Sequence, residues 1–374
     1  MDFFAVKMLL ADRGKLTTAL IGVIFAVVLV NVQGGLFIGL IRKASLLIDQ
    51  GEADIWVGHR KMNNVDFPSD IPRRWVHRIQ SIDGVDKAEA YVVGHSIMTL
   101  PSGGFEQVLV VGAEPATLLG NAHNVVEGDA TNIRQPDAVL VDLGDTHKIE
   151  NPGLGELREI GHKKARIVGF TNGILGFLVT PYVFTTIDRA ADYLHKPSDQ
   201  ASYFLVKVAN QEDIPQIQQA IETRLPEAET MTGGEYAQVS IDYWLTRTGI
   251  GLSFGAATGL GLVVGLVIVA QTLYASVLDR VHEFATLKAV GARESQVRSI
   301  VIYQALLLAL VGSMLGLLIV AGIQYFGSSP RAPIAIPLPI SLGSIALVTL
   351  ICLLASLVPY TRLRSIDPAL VLQG

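Results

Sequence analysis

VHEFATLKAVGARESQVRS, residues 281–299, is a charged, helix-favouring stretch set directly between two long apolar runs. Placing residues 279–298 in hydrocarbon would bury Asp279, Arg280, Glu283, Lys288, Arg293, Glu294 and Arg298. At about 2.5 to 3.5 kcal/mol per central charge, that cost is on the order of 20 kcal/mol, so the segment stays outside the lipid while its neighbours enter it. Val281, Phe284, Leu287 and Lys288 recur at helical spacing, and Gly291 suits a helix C-cap. The stretch therefore predicts a short helix, a turn, and a second helix that runs into the membrane.

Working outward, the 374 residues are 50% hydrophobic and 17% charged, against about 25% charged in soluble proteins. Mean hydropathy is +0.43. Four runs exceed the roughly 20 residues that cross about 30 Å of hydrocarbon as helix: 16–41, 249–278, 299–326 and 339–360. Lys7, Arg13 and Lys15 precede the first, but its apolar part is too long for a signal peptide and no small-x-small site follows, so it reads as an uncleaved span. The net charge of -5 argues against nucleic acid as a partner.

Orientation follows from Lys and Arg in short loops near span ends. Lys7, Arg13 and Lys15, then Arg280, Lys288, Arg293 and Arg298, then Arg362 and Arg364 mark one side, whereas the 327–338 loop carries only Arg331. Both termini and the 279–298 segment are thus expected in the cytoplasm, in a multi-pass inner-membrane protein. Residues 1–15, with Phe3, Phe4, Val6, Leu9 and Leu10 among charges, suit an interfacial amphipathic helix.

Residues 42–246 have the punctuation of an extracytoplasmic α+β domain. Strand-like runs occur at 53–58, 87–100, 105–113, 138–143, 164–170, 182–187 and 202–208, several of them separated by turn signals such as Pro101-Ser102-Gly103-Gly104. Apolar residues at 71, 75, 79 and 82, and at 214, 217, 221 and 225, predict two amphipathic helices packing on a sheet. The stretch 115–178, richest in Gly, Asn and Pro, reads as an insertion, giving two subdomains.

Chemistry is sparse. His59, His77, His95, His123, His147, His162 and His195 show no HExxH or paired spacing, and the lone cysteine, Cys352, sits inside a span, so no metal site and no catalytic residue is predicted. Asp142 and Asp145 lie close in sequence and are expected to be a solvated pair in a loop. No G-x-x-x-x-G-K-[ST] occurs, so the chain does not itself cradle nucleotide in a P-loop.

The string R-x-x-E-F-A-T-L-K-A-V-G-A, residues 280–292, resembles the coupling region of FtsX/MacB-type ABC permeases. The tail P-Y-T-R-L-R-S-I-D-P-A-L-V-L, 359–372, resembles their C-terminal signature, and KMLLADRGKLTTALIGVIFAVVLV is most similar to DevC-like and HrtB-like exporter permeases. The resemblance implies four transmembrane helices with a MacB-like domain between the first and second. It implies a docking face of Arg280, Glu283, Phe284, Leu287 and Lys288, with Gly291 and Ala292 making the turn. It also implies two copies of a separate ABC ATPase that carries ATP and Mg, and a second copy of this chain, the permease itself having no cofactor. A periplasmic adaptor (membrane fusion protein) and an outer-membrane channel would follow for a DevC-like exporter of an amphipathic or lipidic substrate. The alternatives are haem export of the HrtB type and FtsX-like regulation of an outer partner.

Gly35 and Gly39, and Gly251, Gly255 and Gly259, form small-residue faces suited to close helix packing or to the dimer. Gly261 with Gly265 and Gly312 with Gly316 repeat the spacing. Asn31, Gln33, Gln271 and Gln304 are the polar residues in the spans, expected to bond between helices or to line a cleft open to membrane lipids.

Overall fold

The computed structural model describes residues 12–177, 180–327, 334 and 336–364. Residues 1–11 of the expected interfacial helix, most of the 327–338 loop and residues 365–374 of the tail lie outside the described residues. The chain divides into two compact units, residues 40–250 and the remainder.

The second unit is helical. Four helices are long and apolar enough to cross a membrane: Arg13–Lys43, Ile250–Leu278, Glu294–Gly327 and Leu338–Thr361. At 1.5 Å per residue, the 31 residues of the first extend about 46 Å. Ala19, Val23, Ala26 and Val27 of that helix pack with Val269, Leu273, Ala305, Leu308 and Val348 into one core. Small residues decide the packing. A Cβ on Gly265 would stand 2.8 Å from Ala26 Cβ and one on Gly316 would stand 2.8 Å from Val27, while Gly261 and Gly312 meet Leu29 and Val23 more tightly still. The first helix therefore lies in grooves that only glycine leaves open.

The first unit is an α/β domain whose chain order is as follows. α1 (Arg13–Lys43) delivers the chain to β1 (Ile55–His59), α2 (Trp75–Gln80), β2 (Val85–Thr99), β3 (Phe105–Ala113), β4 (Val125–Gly128), β5 (Ala138–Asp142), β6 (Leu157–Ile160), β7 (Lys163–Thr171), β8 (Tyr182–Thr186), α3 (Ile187–Leu194), β9 (Tyr203–Val208), α4 (Ile214–Arg224), β10 (Ala228–Thr232) and α5 (Gly233–Arg247). The ten strands form one mixed sheet in the order β10-β1-β9-β2-β3-β8-β5-β7-β4, with β6 pairing both β2 and β7. The 15-residue β2 joins the two halves. Its first part pairs antiparallel with β9, from Val85 to Tyr91, and its second pairs with β3, from Val92 to Thr99. The strand needs continuous apolar residues because it is covered on both sides, and Ala88 to Gly94 are buried apart from a half-exposed Glu89.

Two differences from the sequence reading have physical causes. The helix expected over 70–82 begins at Trp75, because Ile71 and Pro72 pair with Gln200 and Ala201 as a two-stranded ladder. The α5 helix, unmarked in that reading, starts at a capping box: Thr232 Oγ1 accepts from Glu235 N–H while the Glu235 carboxylate accepts from Thr232 N–H at 2.8 Å.

One face of the sheet carries an aromatic cluster. Trp56 is enclosed by Tyr91, Tyr203 and Tyr236 at ring-centroid distances of 5.8, 5.5 and 5.6 Å. The hydroxyls of Tyr203 and Tyr182 fasten the 60–67 loop, while that of Tyr91 donates to Gly120 C=O at 2.6 Å. Tyr236 donates to the Tyr203 hydroxyl at 2.8 Å, Tyr203 donates to the carbonyls of Asn64 and Val65 at 3.2 Å, and Tyr182 donates to Asp66 Oδ1 at 3.0 Å. Asp66 is 4% exposed. Burial pushes its carboxyl up to about 6, partly offset by the Tyr182 hydroxyl.

Candidate functional site

The segment between the second and third spans contains α7 (Val281–Ala289), which follows α6 (Ile250–Leu278) after two residues and precedes α8 (Glu294–Gly327). Its end is fixed by a Schellman motif: Gly291 N–H donates to Lys288 C=O and Ala292 N–H to Leu287 C=O, both at 3.0 Å. Gly291 has φ +96°, the left-handed conformation that glycine alone adopts without cost. The next helix is capped by the Gln296 side chain, which accepts from Arg293 N–H at 2.8 Å. The turn is therefore held by backbone and side-chain bonds on both sides.

Phe284, which the sequence assigns to the docking face, is turned inward in this chain. It is 1% exposed, seated against Val277, Val297, Ile300 and Val301, with Leu287 and Ala292 at the edge. It acts as the pin that holds α7 onto α6 and α8, because its ring is the large apolar group that α7 buries. The open side presents His282, Glu283, Thr286 and Ala289, and its tip is Val290, 84% exposed. Lys288 and Leu287 are half-buried, and Arg280 lies 3.6 Å from Glu283. The sequence reading missed Val290; its position next to the left-handed glycine was the available signal, since the residue before such a cap projects from the helix end.

At the root of α7 the Lys15 ammonium pairs with Asp279. Lys15 also lies 3.4 Å from Asp12, and its backbone N–H donates to Asp12 Oδ1 at 3.1 Å, which holds the Asp12 carboxyl below its usual range. A polar recess of about 630 Å³ lies here, lined by Asp12, Lys15, Ser276, Asp279, Arg280 and Glu283 among others.

The other candidate residues separate into inward and outward groups. Gly35 and Gly39 are buried. Gly255 and Gly259 face open space, and Gly251 is half-buried. Asn31 is fully buried and donates to Val27 C=O and Ser344 Oγ, both at 2.8 Å. Gln304 is 1% exposed, and its Nε2 has no partner among the described residues. Gln33 is half-buried and Gln271 is exposed on α6, so the four amides do not line one cleft. Among the described residues no group of three or more His, Cys, Asp or Glu is placed to hold a metal ion.

What the fold defines by itself is a multi-span membrane protein that carries most of its folded mass in one domain inserted between its first two spans. Residues 16–224 match the MacB-like periplasmic core domain, and residues 255–368 match the FtsX-like permease C-terminal region. The chain belongs to the MacB/FtsX-type family of ABC transporter permeases, and the inserted domain is accordingly extracytoplasmic.

Among curated relatives, an ABC transporter permease of Mycobacterium tuberculosis is 32% identical over 114 residues, 30% of this chain and 31% of that one. One from Methanocaldococcus jannaschii is 24% identical over 208 residues, 53% of this chain and 51% of its own. The lipoprotein-releasing system transmembrane protein LolC of Haemophilus influenzae is 32% identical over 129 residues, 30% of this chain and 33% of its own. The match thus spans about a third of the length of the first curated relatives. Among solved structures, the periplasmic region of MacB from Actinobacillus actinomycetemcomitans aligns with a TM-score of 0.40 at 8% identity, over 50% of this chain and 92% of that one. The extracellular domain of YknZ from Gram-positive bacteria aligns at 0.37 and 11% identity, over 48% and 99%.

Proposed function

We propose that this chain couples ATP hydrolysis on a separate ABC ATPase to movement of its extracytoplasmic domain, and that the transported molecule is amphipathic or lipidic. The observation that carries the reading is the capped, internally pinned α7 with an exposed apolar tip at Val290. A lever that receives force must be rigid, must offer an apolar contact to seat in a groove, and must carry rim charges that fix register. α7 has the Phe284 pin, Val290, and Glu283 with Lys288.

In this reading α7 faces the cytoplasm, as the surrounding Arg280, Lys288, Arg293 and Arg298 favour. Two ATPase subunits then require two permease chains about a two-fold axis. The open Gly255 and Gly259 face of α6 is a surface suited to the second copy. A lipidic cargo is favoured by the described spans, in which the buried charge Lys43 stands at the last position of α1 and none is buried within a span interior to mark an ion path, and by the likeness to a lipoprotein-releasing protein.

The test is co-purification of the full chain with a candidate ABC ATPase from the same organism, in lipid nanodiscs, with ATP turnover measured for wild type and Val290→Glu. The substitution should abolish association without altering the fold, because Val290 contacts little of its own chain. Undiminished association and turnover in Val290→Glu, and again when residues 281–292 are replaced by a Gly-Ser linker, would refute the reading. Lipid and pigment analysis of the same sample separates lipid from haem export, since bound haem has a Soret band.

A further inference from the structure

The Asp142 and Asp145 pair, expected in water, is buried, each residue 1% exposed. It is matched from within the domain: Asp142 accepts from Gly144 N–H and Ile174 N–H, both at 2.8 Å, and Lys148 Nζ stands 2.7 Å from Asp145 Oδ1. The apolar groups at the end of the domain where the chain enters and leaves are not matched in this way.

That end is set by connectivity. The domain begins at Leu40, in the last turn of α1, and closes at Ile250, the first residue of α6. Both helices are long and apolar enough to cross a membrane, so the residues beside these two points stand where hydrocarbon gives way to headgroups. Here Leu40, Ile41, Ile241, Tyr243 and Ile250, all partly buried, pack around Ala44, Phe177 and Trp244.

Trp244 is the hub. Its ring stacks on Phe177 at 4.3 Å between centroids, meets Tyr243 edge-on at 5.7 Å and lies 6.2 Å from Phe67. Trp and Tyr gather at membrane–water interfaces because an apolar ring and one polar atom suit a boundary that is half apolar and half wet. The Trp244 indole N–H has no partner among the described residues, and a lipid carbonyl or phosphate is an acceptor of the kind it lacks.

Phe67 is 49% exposed, and the loop that holds it is not slack. Asp66, just before it, accepts from the Tyr182 hydroxyl at 3.0 Å and donates its N–H to Asn64 Oδ1 at 2.8 Å, while Pro68 follows. The ring rests on His95 with centroids 5.2 Å apart. A large apolar group fixed in this position is unfavourable in water and favourable in lipid. Arg42, next to Ile41, and Arg247, in the last turn of α5, are also exposed, and a guanidinium at this level suits the phosphate of a headgroup.

We propose that Phe67, Tyr243 and Trp244, flanked by Arg42 and Arg247, form a foot through which the extracytoplasmic domain rests in the headgroup region of the outer leaflet. The occupant is phospholipid, because the surface is continuous with two segments that themselves enter lipid. The foot requires only the spans and the extracytoplasmic placement of the domain, and involves neither ATP nor cargo.

The test uses the full chain with Cys352→Ser in nanodiscs of phosphatidylethanolamine and phosphatidylglycerol. It carries one nitroxide at a time, on Phe67→Cys, on Arg247→Cys, or on Ser102→Cys as an exposed reference in the β2–β3 turn. Oxygen concentrates in hydrocarbon, whereas a nickel chelate stays in water, so their relative access to the nitroxide reports depth. The oxygen-to-nickel ratio should be about fivefold higher at 67 than at 102, with 247 between them. Equal ratios at the three positions overturn the foot, and a label at 67 shielded from both reagents overturns lipid as its occupant, since protein then covers it. Should Phe67→Cys fail to fold, exposed Arg247 decides: a ratio there equal to that at 102 overturns the proposal. Because no ATPase is present, the foot and the coupling role fail separately.

Discussion

Asp66→Asn should stabilise the extracytoplasmic domain by an amount that depends on pH. The Asp66 carboxyl is 4% exposed and titrates near 6, against 3.8 for a free carboxyl. That difference of about two pH units corresponds to about 3 kcal/mol. Because the folded value is the higher one, the native state binds more protons than the unfolded state between about 3.8 and 6. Stability therefore rises as pH falls through that window, and above about 6 the whole penalty is present. The amide introduced by Asp66→Asn never ionises and still offers Tyr182 an acceptor. The variant should be more stable than wild type by about 3 kcal/mol at pH 8, and by under about 1 kcal/mol at pH 4.

The three tryptophans make the measurement selective. Trp56, Trp75 and Trp244 all lie within residues 40–250, so intrinsic fluorescence during urea unfolding of the full chain in detergent follows this domain. His95, whose pKa burial lowers, titrates in both proteins and cancels in the difference. A gap between the two proteins that is constant from pH 4 to pH 8, or that widens towards acid, would refute the buried-carboxylate account.

Phe284→Ala should cost about 3 to 5 kcal/mol locally, because the ring fills the small core that seats α7; hydrogen exchange would show α7 unprotected and ATPase affinity reduced, although Phe284 is not on the open face. Gly312→Ala should lower the detergent melting temperature, since the added Cβ meets Val23, whereas Gly259→Ala meets open space and should leave it unchanged or higher. Thr232→Ala removes the capping box of α5 and should cost about 1 kcal/mol by urea unfolding, with Thr232→Ser retaining most of the cap's contribution.

Much of this was legible in the residues. Hydrocarbon imposes a length and a charge rule, so runs of uncharged residues revealed the spans to within a few positions: the run 249–278 appears as Ile250–Leu278 and the run 299–326 lies within Glu294–Gly327. The buried strands β2, β3 and β8 were equally visible, because a strand covered on both faces must be apolar throughout. The strands β4, β6 and β10 were not. VVEG and LREI carry exposed polar residues and AETMT is mostly polar, so neighbours rather than composition make them strands. α5 was missed although Thr232 and Glu235 announced its start.

What the sequence by itself determined is everything that follows from the solvent: which segments enter lipid, which stay out, and that residues 280–292 form a capped helix and turn. Direction was left to the tertiary structure. Periodicity places Phe284, Leu287 and Lys288 on neighbouring faces of one helix, but only packing against Val277, Val297, Ile300 and Val301 turns the ring inward and leaves Val290 at the tip. Likewise Asp142 and Asp145 are two ordinary carboxylates until the fold buries both, giving Asp142 the N–H groups of Gly144 and Ile174 and Asp145 the Lys148 ammonium. Local sequence sets the choices available to each residue; burial, which is a property of the whole fold, selects among them because it alone removes water.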